Sequence, residues 1–187
     1  MEPLTRTVAP VAVTLTVNGI PVAAAIEATR SLLSLLRAEA GQTGAKEGCD
    51  DSECGACMVL LDGRPVNSCS YLAVQADGRS VTTVEGLGRA DRLSVLQQAL
   101  LEHGGVQCGF CTPGMLISAT ALLATTPDPS EDEVRQALAG NLCRCTGYQA
   151  IVDAVLAAAT AVVGGAPAAP PGTAAPPGTA APPATPA

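Results

Sequence analysis

Eight cysteines fall into two quartets, Cys49, Cys54, Cys57 and Cys69, then Cys108, Cys111, Cys143 and Cys145. The first quartet reads C-x4-C-x2-C-x11-C, the plant-type spacing of a [2Fe-2S] cluster. Such a site takes three thiolates from one short loop wrapped around an inorganic core and a fourth from a neighbouring strand. Gly48, Asp50, Asp51 and Gly55 surround these cysteines, and residues of those types accept the tight backbone turns that wrapping demands. The second quartet reads C-x2-C, then 31 residues, then C-x-C, so the fold has to bring two close pairs together. Two iron–sulfur clusters in one chain imply electron transfer.

Two plainer chemistries compete for these cysteines. A disulfide framework suits small secreted proteins with little core, whereas this chain is 48% hydrophobic. Nor is an export signal evident. Val8 to Val17 is apolar after a lone Arg6, but Val13, Leu15 and Val17 alternate with Thr14 and Thr16, the period of a half-buried strand. No twin-arginine pair precedes it, and the cytoplasm is the expected location. Structural zinc uses paired C-x2-C motifs, a pattern from which the C-x4-C-x2-C triplet and the C-x-C pair both depart. Iron–sulfur ligation is therefore the preferred reading.

Composition bounds the rest. A chain of 187 residues, partly low-complexity, supports one domain or two small ones. With one Phe, two Tyr and no Trp, the core must be built from Leu, Val, Ile and Ala, and bound clusters would contribute to the folding free energy. A net charge of −7 argues against nucleic acid, which calls for a basic surface. The apolar stretch Ala154 to Val163 is too short for a membrane span, which needs about 20 residues.

The elements that must position the cysteines follow from periodicity. Residues 11–27 read as a β-hairpin turning at Asn18-Gly19, a preferred type I′ pair. Leu32, Leu33, Leu35 and Leu36 form a helical stripe before Gly41. After the cysteine loop come strands at Met58 to Leu61 and Val66 to Cys69, separated by a turn at Asp62-Gly63, and a last strand at Ser80 to Val84. A small mixed sheet with one helix across it results, the cysteine loop lying on its rim. Beyond about Glu85 the period becomes helical. Leu93, Leu96, Leu100 and Leu101 form one apolar face, Met115 to Leu123 another. Pro113 suits a helix start with Thr112 as its cap, Ser130 to Glu133 is a capping box, and a fourth helix runs from about Tyr148 to Val163. Four helices in two hairpins would set Cys108 and Cys111 opposite Cys143 and Cys145, with positive helix N-termini near an anionic cluster. Ala166 to Ala187 contains only Ala, Pro, Gly and Thr and repeats PPGTAA. It reads as a passive tail of partly polyproline character, with a tether to a partner subunit as the alternative.

The segments GCDDSECGAC (48–57), LDGRPVNSC (61–69), QCGFCTPG (107–114) and NLCRCTGY (141–148) closely resemble the iron–sulfur subunit of the molybdenum hydroxylases. That group includes xanthine dehydrogenase, aldehyde oxidoreductase and aerobic carbon monoxide dehydrogenase. The resemblance spans about residues 12–163. It implies an α+β chain: a flexible N-terminus (1–11), a β-grasp [2Fe-2S] ferredoxin-like domain (12–85), an all-α four-helix [2Fe-2S]-binding domain (86–164) and a disordered tail (165–187). It implies a molybdopterin-binding large subunit and an FAD-binding medium subunit as partners in a hetero-oligomer. It places the helical-domain cluster near the pterin, where Gln107 and Cys145 match the residues that approach that cofactor, and the ferredoxin-type cluster toward the flavin. The chain itself then carries no substrate site. It departs from many members in the acids Asp50, Asp51 and Glu53, whose charge beside an anionic cluster should lower its reduction potential.

Other conspicuous residues carry less. His103 is the single histidine, and a Rieske-type centre needs two, so it reads as a helix-end or interface residue. Asp62-Gly63 reads as a turn. Arg144, between two cysteines, is either an interface or cluster-tuning charge or an exposed arginine. Rival functions are a free-standing two-cluster carrier and a structural zinc or interaction module. An apolar patch around the second quartet separates an obligate subunit from a shuttle, which keeps its surface polar.

Overall fold

The computed structural model describes residues 9–89 and 91–163. Most of the expected flexible N-terminus and all of the expected 165–187 tail lie outside the described residues.

The alternation at the start of the chain forms strands β1 (Val11–Val17) and β2 (Ile20–Ile26), paired antiparallel. Asn18 and Gly19 have φ of 50° and 81°, the positive values a type I′ turn requires. Val13, Leu15 and Val17 point into the core. Helix α1 (Leu32–Ala38) is capped by Ser31, whose Oγ accepts from Ser34 N at 3.2 Å, and it lays Leu32, Leu33, Leu35 and Leu36 on the sheet. Strands β3 (Met58–Leu61), β4 (Arg64–Asn67) and β5 (Ser80–Thr82) complete the order β2-β1-β5-β3-β4. The sheet is mixed, because β1 and β5 run parallel while the other pairs are antiparallel. Pro21 and Pro65 fall on its two edge strands, where a missing N–H can face outward at no cost to the ladder.

The fourth strand differs from the expected Val66 to Cys69. It ends at Asn67, because Ser68 O and Tyr71 O accept from Leu33 N (2.9 Å) and Leu32 N (2.7 Å). Those are donors that the start of α1 cannot satisfy within the helix. Cys69 thus sits on a turn beside α1 rather than in a strand. The last strand stops at Thr82, short of Val84, where a 3₁₀ turn over Val84–Gly86 begins.

Four helices follow: α2 (Val95–Glu102), α3 (Thr112–Thr125), α4 (Glu131–Leu138) and α5 (Gln149–Val163). The Ser94–Gln97 capping box starts α2 after Leu93, so its inner face is Leu96, Ala99 and Leu100, while Leu93 and Leu101 are 39% and 54% exposed. Thr112 is not a cap: it is the first helical residue of α3, the cap position belongs to Cys111, and no side chain bonds there. Pro113 in the same first turn lacks only an N–H that has no helical partner. The Ser130–Glu133 box forms as expected, and α5 opens at Gln149 because Tyr148 has φ of 70°. No helix among the described residues is long and apolar enough to cross a membrane.

Two separate hydrophobic cores result. One is gathered by the sheet and α1, around Leu15, Leu33, Leu36 and Val59. The other is gathered by α2 to α5, around Leu100, Met115, Val134 and Ile151. Helix α3 packs against β3 and β4. At the junction Asn18 is a buried polar hub, 5% exposed. Its Oδ1 accepts from Thr83 N, and its Nδ2 donates to Thr83 Oγ1 and Gln42 Oε1, each at 2.9 Å. Thr83 Oγ1 in turn donates to Glu85 Oε2 at 2.6 Å, and Glu85 Oε1 accepts from Gly44 N at 2.7 Å. The hairpin turn therefore does more than reverse the chain, since it ties the segment after β5 to the approach of the cysteine loop. Asn18→Gly keeps the positive φ but strands these buried partners. It should lower stability by about 1–3 kcal/mol, read from chemical denaturation of the intact chain.

Candidate metal centres

The loop from Gly48 to Cys57 coils through left-handed backbone at Asp50 (φ 61°), Ser52 (φ 70°) and Gly55 (φ 67°). The two non-glycine residues each cost about 1 kcal/mol, a cost that the loop's fixed contacts offset. Asn67 at the end of β4 holds the coil, its Nδ2 donating to Ser52 O at 2.9 Å while its Oδ1 faces Cys57 Sγ at 3.8 Å. Ser68 Oγ donates to Cys57 O at 2.6 Å, which fixes the third cysteine against the turn carrying the fourth. Cys57 and Cys69 are buried, Cys49 and Cys54 half-buried. Asp50, Asp51 and Glu53 are all exposed on the rim. The Cys49 thiol and the Glu53 N–H hold the Asp51 carboxyl below the usual carboxylate range.

The second quartet is assembled from the approach to α3 and the approach to α5. Cys111 caps α3 and is buried, Cys143 is half-buried, and Cys108 and Cys145 are exposed with their sulfurs 3.5 Å apart. The segment after Cys145 folds back on itself. Tyr148 Oη accepts from Cys143 N at 2.8 Å, and Thr146 Oγ1 lies 3.1 Å from Cys143 Sγ and accepts from Tyr148 N at 3.2 Å. Gln107 and Arg144 are exposed, and so are the apolar side chains of Phe110 (46%) and Leu142 (58%) beside the cysteines.

The thiols therefore meet in pairs: Cys49 with Cys54, Cys57 with Cys69, Cys108 with Cys145, and Cys111 with Cys143. Burial pushes the Cys57 thiol up to about 12, the Cys69 N–H partly opposing it and the Cys69 thiol adding to it. Burial likewise takes Cys111 up to about 12, with the Cys143 thiol and the neighbouring cysteine charges reinforcing it. At Cys143 burial also opposes the thiolate but is outweighed by the Thr146 hydroxyl, the N–H groups of Thr146 and Cys145, and the Cys111 thiol, leaving it at about 7. Among the described residues, no three His, Cys, Asp or Glu side chains close on one metal ion. Pairs of thiols, two pairs to a site, suit a two-iron core, in which each iron takes two protein ligands. The donor set thus fits [2Fe-2S] clusters better than a tetrahedral zinc, and Thr112 Oγ1 is a buried oxygen without a partner at the start of α3.

Sequence reasoning found the cysteines but missed their supports. Asn67, Thr146 and Tyr148 stand inside the conspicuous motifs, and their proximity to cysteines was the available signal. Asn141 is only 2% exposed. Its Nδ2 donates to Gly55 O at 3.1 Å, 86 residues away in the chain, and its Oδ1 accepts from Ser118 Oγ at 2.6 Å. No local pattern announces it.

Fold and site together define a protein with two [2Fe-2S]-binding units. A 2Fe-2S iron–sulfur cluster binding domain matches residues 15–82, and a [2Fe-2S] binding domain matches residues 83–156. The nicotinate dehydrogenase small FeS subunit of Eubacterium barkeri is 48% identical over 145 residues, 78% of this chain and 92% of that one. The nicotine 6-hydroxylase small subunit of Paenarthrobacter nicotinovorans is 53% identical over 140 residues, 75% of this chain and 84% of that one. The crystal structure of quinoline 2-oxidoreductase from Pseudomonas putida 86 superposes with a TM-score of 0.80 at 46% identity, covering 84% of this chain and 99% of that one. The chain belongs to the iron–sulfur subunits of the molybdenum hydroxylase family, oxidoreductase components that transfer electrons through [2Fe-2S] clusters.

The contrast among the thiols can be read on the iron-free chain. At neutral pH Cys143 should be alkylated ahead of Cys57 and Cys111, with a rate that rises as pH climbs through about 7 and then levels as its thiolate fills. Thr146→Val removes a donor to that thiolate and should move the profile to higher pH. Site-resolved mass spectrometry of alkylated peptides measures both.

Proposed function

We propose that this chain is the electron-transfer subunit of a heteromeric molybdenum hydroxylase, holding two [2Fe-2S] clusters in two domains, 12–85 and 86–164. The first is a β-grasp ferredoxin domain and the second a four-helix domain. Cys49, Cys54, Cys57 and Cys69 are the ligands of one cluster, and Cys108, Cys111, Cys143 and Cys145 those of the other. The observation that carries this reading is that each quartet converges in thiol pairs beside its own hydrophobic core. When bound, the clusters supply one-electron redox chemistry, relaying electrons from a molybdopterin centre on a large subunit to FAD on a medium subunit or to another acceptor.

The protein's own residues shape that relay. Cys108 and Cys145 are exposed on the helical side, with Gln107 exposed next to Cys108, so the second site can be approached closely by a partner chain carrying the pterin. Phe110 and Leu142 add an apolar rim to the same region, which favours a lasting hetero-oligomeric contact over a diffusing carrier. Asp50, Asp51 and Glu53 give the first site a charged rim and disfavour an added electron there.

The metal content tests the reading. The loaded chain should hold about four irons and four acid-labile sulfides, two of each per cluster, and stoichiometric zinc with little iron would overturn it. Cys57→Ser should abolish the paramagnetic signal of the first cluster and leave that of the second.

The position of Gln107 is tested on the assembled complex. Gln107→Ala should weaken pterin retention or slow reduction of the second cluster by substrate, for a loss of about 1–3 kcal/mol of hydrogen bonding if the contact is buried, while both clusters still assemble. Rapid-mixing spectroscopy reads the rate. Unchanged cofactor content and unchanged reduction would remove Gln107 from the path.

A further inference from the structure

Between Cys54 and Cys57, Gly55 is pressed directly on the two segments that carry the other quartet. A Cβ on Gly114, three residues after Cys111, would overlap Gly55 O and lie 2.9 Å from Asn141 Nδ2. A Cβ on Gly55 would overlap Gly140 O and lie 2.6 Å from Asn141 Nδ2. Asn141 stands two residues before Cys143 and donates to Gly55 O at 3.1 Å, while Leu142 N donates to Cys54 O at 2.9 Å. Backbone therefore meets backbone at Gly55 and Gly114 and between Cys54 and Leu142, with the Asn141 side chain tied into the same contact. Asn141 is held in turn by Ser118 on α3, at 2.6 Å.

We propose that the contact of Gly55 with Gly114 and Asn141 sets the distance between the two clusters, and that these three are positioning residues for electron transfer between them. The inference rests on the two-cluster reading above. Side chains at a domain junction can repack and let two units slide, whereas carbonyl and amide groups in contact cannot come closer and, tied by hydrogen bonds, do not drift apart. Tunnelling between redox centres falls exponentially with distance, so a gap fixed by main chain gives a fixed rate. The contact joins peptide groups within three residues of Cys54, Cys57, Cys111 and Cys143, so a shift there is passed to both quartets. The step is a one-electron exchange between the clusters, with no bond made or broken.

The test uses the full chain loaded with both clusters and fully reduced, reading the spin–spin splitting between the two centres and the iron content. Gly114→Ala should keep both clusters and the resonance positions of each, yet show a weaker or broadened splitting, because the added methyl forces the Gly55 carbonyl away. Gly140→Ala is the control: a Cβ there has nothing within 4 Å, so the splitting should match the wild type. Wild-type splitting in an iron-replete Gly114→Ala chain overturns the proposal. Should that variant lose iron, Asn141→Ala decides, since it adds no atoms: a weaker or broadened splitting supports the proposal, and an unchanged one overturns it. A wild-type chain that shows no [2Fe-2S] signal defeats the two-cluster reading and this inference with it. Intact clusters whose splitting ignores these substitutions defeat the spacing alone.

Discussion

Much of this structure depends on the close approach of the peptide at Gly55 to α3 and to the turn before Cys143. The approach requires a glycine at both contact points, a positive φ at Gly55, and a buried Asn141 to satisfy the Gly55 carbonyl. These demands bear on both halves at once. The sheet must deliver the cysteine loop at the start of β3, and α3 must carry in its first turn a residue small enough to be overlain. Pro113 precedes that residue and fixes the backbone of the helix's first turn. The two cores can pack independently, but the loops joining them are not free to choose their separation.

A second constraint comes from the thiols. Cys57 and Cys111 lie where burial keeps a thiol protonated well above neutrality, and a metal ligand has to be deprotonated. Under the proposed ligation, metal binding releases protons, and its free energy becomes folding free energy for loops that otherwise gain little by closing. The left-handed backbone at Asp50 and Ser52 belongs to the same balance. A coil of this shape offers few apolar contacts of its own, and its hold on the protein is through Asn67 and Ser68 on one side and Asn141 and Leu142 on the other. Cys143 differs, because Thr146 and nearby N–H groups already favour its thiolate.

What was legible in the sequence is what local chemistry dictates. Cysteine spacing marked both quartets, Asn18-Gly19 marked the hairpin, and Ser130 with Glu133 marked the start of α4. Expectations failed where a distant partner decided the outcome. Val66 to Cys69 reads as a strand, yet the chain leaves the sheet after Asn67 because the otherwise unsatisfied amides at the start of α1 donate to the carbonyls of Ser68 and Tyr71. Leu93 fits an apolar helical face but precedes the Ser94 cap. Asn18 looks like turn chemistry alone until Thr83, 65 residues on, is brought to it. Asn141 is the plainest instance, a polar residue whose burial makes sense only once Gly55 and Ser118 surround it.

The surroundings of the two quartets differ in kind, and the difference follows from where each sits. The first is enclosed by sheet, α1 and the Ser68 turn, so that two of its cysteines are buried and its exposed rim is acidic. The second lies where two helices begin, and a helix start cannot enclose a site on every side. Its outer cysteines, Cys108 and Cys145, stay open to the outside with Phe110 and Leu142 alongside. Exposed apolar groups next to a redox centre are costly in an isolated protein and favourable once covered. An acidic rim, by contrast, is well solvated and repels anions. On the proposed function, the helical end is therefore the one that a partner chain covers, and its loops are the ones that meet the Gly55 contact.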